Sequence, residues 1–404
     1  MKFEYRDYEL SNAIIDIAAG PFGSNLKVSC FTETGFPIID GANLKGITVT
    51  DNITKFVSED KARSLHRSIA KRRDIVVTIS GNVGQISYIP DNSQYEEYLC
   101  SQRQFRVTFD ESKIYVPYLV YYLHSVEGRS KILAFANQTG VPALSQPLKN
   151  FRKIKIDLPS LENQHKIAAI LSALDEKIAT NRAINDNLQE QARALYRSWF
   201  VDFEPFDGSK PSNWKNGRLK DVLSLQRSSI KAGENTSLPY LPIDIIPMNT
   251  FGLSDVKPNE EAQSSLITFS KDDIVIGAMR VYFHRVIIAP FDGITRTTCF
   301  TLRPFNADYL GFSLLCCDQD SSIEYAQQTS KGSTMPYAVW DGGLGDMEIP
   351  IPDPKTAHRF NEIVMPMIRI IQSSFAENKN LRELRDSLLP RLMSGELDVS
   401  DLDL

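Results

Sequence analysis

Residues 167–199 read IAAILSALDEKIATNRAINDNLQEQARALYRSW, and residues 360–392 read FNEIVMPMIRIIQSSFAENKNLRELRDSLLPRL. Steps of four and three residues alternate along a ladder in the first stretch: Ile167, Leu171, Leu174, Ile178, Asn181, Asn185, Leu188, Ala192, Leu195 and Trp199. The same steps recur in the second: Phe360, Val364, Met367, Ile371, Ser374, Asn378, Leu381, Arg385, Leu388 and Leu392. One offset relates them, since 360 − 167 = 392 − 199 = 193, and both ladders turn polar midway. The two stretches therefore share one design.

A ladder of this kind has a mean period of about 3.5 residues, which is typical of a helix that winds around a partner helix. Residues 161–200 would form a helix about 60 Å long at ~1.5 Å per residue. We expect the second helix to be that partner. An internal two-fold axis crossing both helices makes them antiparallel, so that their polar middles meet, and a buried Asn there fixes the register.

The predicted seam between the helices comprises fifteen ladder positions: Ile167, Leu171, Leu174, Ile178, Asn181, Asn185, Leu188, Leu195, Val364, Met367, Ile371, Ser374, Asn378, Leu381 and Leu388. A simpler alternative is that each ladder is only the core face of a domain helix. Pro366 lies inside the second ladder and predicts a kink or a late start of the regular helix.

The globular segments repeat as well. Three pairs of segments correspond: Ile154–Pro159 with Met347–Pro352, Asp74–Val77 with Asp273–Ile276, and Gln104–Val107 with Cys299–Leu302. The pair directly before the helices has the same offset as the ladders, 193 residues, and the two pairs further upstream have offsets of 199 and 195 residues. Two copies are too few for a solenoid, so the repeat indicates an internal pseudo-two-fold.

The fold class that follows is α+β, with two similar mixed α/β domains separated by two long antiparallel coiled-coil helices. Strands are expected at 75–79, 104–109, 274–278 and 299–302, and short helices at 118–124 and 309–316. The predicted boundaries are 1–158 for the first domain, 159–203 for the first helix, 204–352 for the second domain, 353–395 for the second helix, and 396–404 for an acidic, frayed tail.

Composition narrows the class of protein. A chain of 404 residues with 42% hydrophobic residues can bury more than one core. Five cysteines without C-x-x-C spacing indicate a reduced, cytoplasmic protein, and no apolar run approaches the ~18 residues of a membrane span. The net charge of −5 argues against a uniformly basic coat but leaves room for local basic patches.

Three strings carry a resemblance to a known family. Residues 195–206 read LYRSWFVDFEPF, residues 388–397 read LLPRLMSGEL, and residues 158–168 read LPSLENQHKIA. With the order of the segments, these strings resemble the specificity subunit of type I restriction-modification systems over essentially the whole chain. One departure is Lys355-Thr356-Ala357-His358, which replaces the usual Glu-x-Gln style junction and leaves the start of the second helix open.

The resemblance implies two target recognition domains, each reading half of a split double-stranded DNA site, with the helices as a ruler. It also implies partners: two adenine methyltransferase subunits, and restriction subunits that act as translocase and nuclease. S-adenosylmethionine, ATP and Mg would then be cofactors of those partners and not of this chain. The sequence itself has no Asn/Asp-Pro-Pro-aromatic tetrapeptide, no P-loop and no metal-ligand spacing, so we expect no active site of its own.

The candidate DNA-binding residues fall into two groups. The run 61–73, which holds six basic residues and no acid, ends in Lys71, Arg72 and Arg73 and is either a phosphate-contacting surface or an ordinary exposed helix. Side chains at turn-like positions are candidates for base contacts, although each alone is more often a plain surface residue: Ser80, Asn82, Gln85, Arg103, Gln138 and Thr139 in the first domain, and Arg280, Tyr282, His284, Arg285, Arg296, Lys331, Ser333 and Thr334 in the second.

An aromatic string, Trp199, Phe200, Phe203 and Phe206, follows the first ladder. It is predicted to close the junction between helix and domain and also to anchor a methyltransferase subunit. A second function class stays open: an adaptor that mimics a protein dimer and does not bind nucleic acid.

Overall fold

The structure is a computed structural model that describes residues 5–137, 141–234, 237–263 and 265–403. The chain forms two compact units. Unit 1 comprises residues 1–176 and 383–404, and unit 2 comprises residues 177–382. Each long helix therefore contributes residues to both units.

Unit 1 is a mixed α/β unit. Its strands are β1 (Arg6–Glu9), β2 (Ile14–Ala19), β3 (Phe31–Thr32), β4 (Phe36–Ile39), β5 (Phe56–Val57), β6 (Ile69–Lys71), β7 (Ile75–Thr78), β8 (Ile86–Tyr88), β9 (Glu97–Cys100), β10 (Gln104–Phe109), β11 (Ala136–Asn137), β12 (Ala143–Leu144) and β13 (Lys155–Leu158). Its helices are α1 (Glu59–Ser64), α2 (Val116–His124), α3 (Val126–Leu133) and α4 (Pro147–Arg152), followed by the start of α5 (Leu161–Phe200).

Unit 2 has the same kind of architecture. Its strands are β14 (Lys215–Arg218), β15 (Leu223–Leu225), β16 (Ser229–Ile230), β17 (Tyr240–Leu241), β18 (Leu266–Phe269), β19 (Ile274–Gly277), β20 (Val286–Ile288), β21 (Gly293–Arg296), β22 (Cys299–Pro304) and β23 (Glu348–Ile351). Its helices are α6 (Leu310–Cys317), α7 (Asp320–Gln328) and most of α8 (Pro354–Met393).

One four-stranded sheet and one strand pair follow the same order in the two units. Unit 1 has an antiparallel sheet β2-β10-β7-β8 and a pair β1-β13, and unit 2 has β15-β22-β19-β20 and a pair β14-β23. Every residue of β7 and β19 is buried, because alternate side chains of each strand enter two different hydrophobic cores. Strands buried on both faces consist mostly of β-branched residues, as these two do. The predicted strands and short helices are confirmed, with ends that differ by at most two residues.

A buried carboxylate precedes both of these strands. Asp74 accepts a hydrogen bond from the Lys71 backbone amide at 2.9 Å, and Asp273 accepts one from the Ser270 amide at 2.8 Å. Arg303 on β22 also pairs with Asp273. Burial raises the pKa of Asp74 above its usual value. The sequence repeat thus extends to the turn that begins each central strand.

The helices α5 and α8 contact each other within unit 2. Asn181 Nδ2 donates to Asn378 Oδ1 at 2.9 Å and to Glu377 Oε2 at 2.7 Å, and the Tyr196 ring lies 6.3 Å from that of Phe360. As positions on α5 rise, their partners on α8 fall, so the helices run antiparallel in this unit. Within unit 1, Asp175 of α5 pairs with Arg385 of α8 at 2.5 Å.

Two details of α8 and the C-terminus differ from expectation. Helix α8 begins at Pro354 and includes Pro366 in its interior, so the predicted late start is wrong. The predicted frayed tail is wrong as far as Ser400, because Val399 is buried in the core of unit 1 and the Ser400 carbonyl accepts a hydrogen bond from Lys166 at 2.8 Å. Leu397 packs against the same core, so apolar residues between the acids fix the segment.

Candidate nucleic-acid interface

In unit 1, the turn after β7 is joined to the loop that leads into β12. The Gly81 amide donates to the Pro142 carbonyl at 3.1 Å, and the Leu144 amide donates to the Ile79 carbonyl at 2.8 Å. Ser80 forms a β-bridge with Ala143 between these two bonds. Gly81 has a φ of 88°, which glycine adopts without steric cost.

Unit 2 contains the same arrangement after β19. The Arg280 amide donates to the Pro336 carbonyl at 2.8 Å, and the Ala338 amide donates to the Ala278 carbonyl at 2.8 Å. Met279 forms the corresponding β-bridge with Tyr337. We call this arrangement the turn–loop joint of each unit.

Arg280 stands where unit 1 has glycine, and its backbone is left-handed with a φ of 51°. A non-glycine residue in this conformation costs of order 1 kcal/mol or more and persists where surrounding contacts hold it. The bond to Pro336 is such a contact. Strained positions of this kind cluster at functional sites, so the joint is a candidate site in its own right.

Four of the predicted DNA contacts of unit 1 line a single cleft beside this joint: Ser80, Asn82, Gln85 and Arg103. Asn82 and Arg103 are exposed, whereas Ser80 and Gln85 are half-buried. Gln138 and Thr139, also predicted contacts, lie outside the described residues.

Further polar residues of this cleft were missed by the sequence reasoning. They are Thr78, Gln102, Gln104, Asp40 and Lys55. The Thr78 hydroxyl and Gln85 Oε1 are buried and have no hydrogen-bond partner among the described residues. Gln102 and Gln104 flank the predicted Arg103 in sequence, so proximity to that residue was the available signal.

In unit 2, five predicted contacts are exposed at or near the joint: Arg280, Tyr282, Lys331, Ser333 and Thr334. Lys331 is tied to the joint because its amide and carbonyl both bond to Tyr337 at 2.9 Å. Three apolar neighbours were missed, namely Phe283, Met335 and Tyr337. Phe283 and Met335 directly adjoin predicted residues in the sequence, whereas Tyr337 does not. Arg296, at the end of β21, is exposed as well.

His284 and Arg285 have internal roles instead. His284 Nε2 lies 2.9 Å from an oxygen of the buried Asp318 carboxylate, which Arg193 of α5 also contacts at 2.7 Å. Arg285 donates to the carbonyls of Ile243, Asp244 and Ile246. These bonds occupy the donors that the prediction assigned to base edges, so the two residues hold the turn and its neighbours in place.

The basic run of unit 1 is largely neutralised by acids from elsewhere in the chain. Lys71 pairs with Glu97 at 3.3 Å, and Arg72 pairs with Glu96 at 3.6 Å. Arg73 forms two bonds to the Glu111 carboxylate, and these raise the pKa of its guanidinium. The run is thus less positive than its sequence suggests, although Lys71 remains exposed.

The aromatic string after the first ladder packs into the core of unit 2. Phe200 is 2% exposed, and its ring lies 4.8 Å from Phe360 and 4.9 Å from Phe312. Trp199 is buried too, and Phe203 and Phe206 pack against Trp214: ring distances are 6.0 and 5.1 Å. The junction role is confirmed. The partner-anchor role is wrong for Trp199 and Phe200, which lack the exposed surface it requires.

Every predicted seam residue is buried or half-buried. The polar middle is buried as well, with Asn181 3%, Asn185 2%, Ser374 9% and Asn378 5% exposed. Several ladder residues also enter the globular cores, Ile167 and Leu171 in unit 1 and Val364 and Ile371 in unit 2. The ladders therefore serve both as helix contacts and as core faces.

Within the described ranges, no three His, Cys, Asp or Glu side chains are grouped so that they could hold a metal ion. No helix in those ranges has the length and apolar character needed to cross a membrane.

Comparison with known proteins identifies the class of domain. Residues 23–190 match the family described as Type I restriction modification DNA specificity domain. The type I restriction enzyme MjaIX specificity subunit of Methanocaldococcus jannaschii is 25% identical over 376 residues, which cover 86% of this chain and 82% of that subunit. The HindI specificity subunit of Haemophilus influenzae is 22% identical over 396 residues, covering 78% of this chain and 84% of that subunit.

A solved structure shares the fold. The S subunit of a type I restriction-modification system from M. genitalium superimposes with a TM-score of 0.65 at 16% identity, and 96% of each chain is covered. This likeness shows the fold. The match over residues 23–190 and the two specificity subunits that resemble most of the chain confirm the resemblance seen in the sequence.

Proposed function

We propose that this chain is the non-catalytic sequence-recognition subunit of a type I restriction-modification complex. Each unit reads one half of a split, asymmetric site on double-stranded DNA. The two long helices set the spacer between the halves and dock two adenine methyltransferase subunits.

The observation that carries this proposal is the turn–loop joint, which occurs once in each unit with the same backbone bonds and different side chains. Ser80 and Asn82 flank Gly81 in unit 1, whereas Arg280 and Tyr282 occupy the corresponding turn of unit 2. Base identity is read by the side chains that reach base edges. A joint with the same backbone in both units but different side chains in each is what two half-sites of different sequence require.

The spacer role is supported by the pairing of α5 and α8. Their antiparallel contact in unit 2, with Asn181 bonded to Asn378, is the arrangement expected at the polar centre of an internal pseudo-two-fold. We assign adenine methylation and DNA cleavage to partner subunits, together with their S-adenosylmethionine, ATP and Mg.

The adaptor alternative draws support from the neutralised basic run, because a surface paired to Glu96, Glu97 and Glu111 offers few free cations to phosphates. The two functions differ in one measurable property. A DNA reader binds duplex with an affinity that falls steeply as salt rises, because phosphate contacts release counterions.

The test is to measure duplex binding by the full chain, alone and with its methyltransferase partner, between about 50 and 200 mM salt. The DNA-reading function predicts a steep salt dependence and a preferred sequence. Absent or salt-insensitive binding by the complex would retire it in favour of the adaptor. Methyl transfer by the chain alone would contradict the non-catalytic assignment.

A further inference from the structure

Four large apolar side chains are exposed at the turn–loop joint of unit 2. Tyr282 is 45% exposed, Phe283 37%, Met335 51% and Tyr337 47%. We call them the apolar patch. Exposed apolar residues that occur together mark an interaction site more reliably than scattered ones do.

The patch is held rigidly by the joint beneath it. Tyr337 takes part in β-bridges to both Met279 and Lys331, so that the loop carrying Met335 is fixed beside the turn carrying Tyr282. The Tyr282 and Phe283 rings lie 5.0 Å apart, and the Arg285 guanidinium lies 5.7 Å from the centre of the Phe283 ring. A preorganised surface of this kind loses little entropy when it binds.

The charge around the patch identifies its partner as a polyanion. Arg280 and Lys331 flank it, both are exposed, and neither forms an ion pair with a residue in the described part of the chain. This differs from the basic run of unit 1, where Lys71 and Arg73 are paired to acids. Cations without ion-pair partners beside exposed apolar side chains favour DNA as the partner, because the cations can bind phosphates while the apolar groups contact bases.

We propose that unit 2 reads its half-site through apolar contact between this patch and the 5-methyl groups of thymines in the major groove. The inference rests on the proposed function and names the chemistry of one half of it. Thymine is the base that presents a methyl group in that groove. The cleft of unit 1 has a mixed lining, in which Ser80, Asn82 and Gln85 supply polar groups that can form hydrogen bonds with base edges.

The test begins by selecting preferred duplexes from a random library with the full chain. Thymines of each half-site are then replaced in turn by deoxyuridine, which pairs like thymine but lacks the methyl group. In the half-site that unit 2 reads, each replacement that removes a contacted methyl group should lower the affinity about fourfold. This factor corresponds to ~0.8 kcal/mol for a buried group of this size. The loss should shrink in the variants Tyr282→Ala and Met335→Ala, whose side chains are about half exposed and whose removal leaves the fold intact.

Matched controls locate the effect. Phe305→Ala removes an aromatic ring that is 68% exposed at the opposite end of β22, and it should leave the sensitivity to deoxyuridine unchanged. Asn82→Ala should weaken binding through the other half-site. A site that lacks thymine in one half, or equal deoxyuridine sensitivity in Tyr282→Ala and unaltered protein, would overturn the inference while leaving the proposed function intact.

Two other outcomes are separable. If Tyr282→Ala weakens binding of the methyltransferase subunit and leaves DNA binding unchanged, the patch is a protein interface and the inference is wrong. If no duplex is selected at all, the proposed function fails with it.

Discussion

Replacing Asn181 and Asn185 by alanine, one at a time, should change the stability of unit 2 in opposite directions. Both residues lie on α5 in the polar middle of the ladder, and they are 3% and 2% exposed. Asn181 donates to Asn378 and Glu377, whereas neither polar atom of the Asn185 side chain has a partner among the described residues. The two changes delete the same atoms from the same helix, so helix propensity and the volume removed largely cancel.

The magnitudes follow from the hydrogen bonds. Asn181→Ala loses two bonds and leaves the buried Asn378 oxygen without its donor, which should cost about 1–3 kcal/mol. Asn185→Ala removes an unpartnered buried amide, which relieves a penalty of about 1 kcal/mol or more. The two variants should therefore differ by roughly 2–4 kcal/mol in the free energy of unfolding.

Thermal unfolding of the full chain, followed by near-UV circular dichroism, measures this difference. A change of 1 kcal/mol shifts the Tm of a domain of this size by about 2–4 °C, so a gap of at least about 4 °C is expected, with Asn185→Ala the more stable. Equal Tm values, or the reverse order, would refute the assignment of the Asn181–Asn378 contact as the polar link of the seam.

Three further predictions concern the ends of the helices and the spacer. Asp353 caps α8 by accepting bonds from the amides of Lys355 and Thr356, and the Thr356 hydroxyl holds the pKa of its carboxyl below the usual 3.8. Asp353→Ala should therefore cost about 0.5–2 kcal/mol near neutral pH in chemical unfolding, and Asp353→Asn should cost less. The pKa is lower in the folded state, so the stability difference between Asp353 and Asn should be full above the unfolded pKa and should be lost as the pH falls through the folded-state pKa. Val399→Ala should lower the Tm of the chain by removing about 1–2 kcal/mol of buried apolar contact, while Leu402→Ala, at a position 44% exposed, should leave it unchanged. Inserting seven residues into each long helix where the two units divide should lengthen the spacer between half-sites by about 3 base pairs. Seven residues add ~10 Å to a helix, and one base pair occupies ~3.4 Å of DNA. A change in either half-site sequence would contradict the assignment of spacer length to the helices.

Local patterns in the sequence predicted much of the fold. The 4-3 ladders indicated two long helices, and α5 and α8 are each 40 residues long. The β-branched runs that became β7 and β19 were recognisable because both of their faces are buried. The contact of Asn181 with Asn378 was predicted from the repeat offset, because antiparallel pairing of two matching ladders brings their polar middles together.

The candidate site was less predictable, because distant segments decide which side chains stay free. Arg73 is neutralised by Glu111 and His284 is held by Asp318, and no local pattern reports either contact. For the aromatic string, the junction role was predictable because the end of a helix must pack against the domain that follows it. The partner-anchor role was not predictable, because the sequence does not report which of the rings stay exposed. Phe283 and Tyr337 were missed because their exposure depends on the joint, which forms only when the loop returns to the turn.

Methylome sequencing of a host that carries this chain and its methyltransferase partner would show whether each unit reads one half of a split site. We expect methylated adenines in a site with two different half-sequences separated by a spacer of fixed length. The double change Ser80→Ala with Asn82→Ala should alter one half and leave the other unchanged. A single continuous recognition sequence, or a change in both halves from this one turn, would contradict the assignment of one reader to each unit.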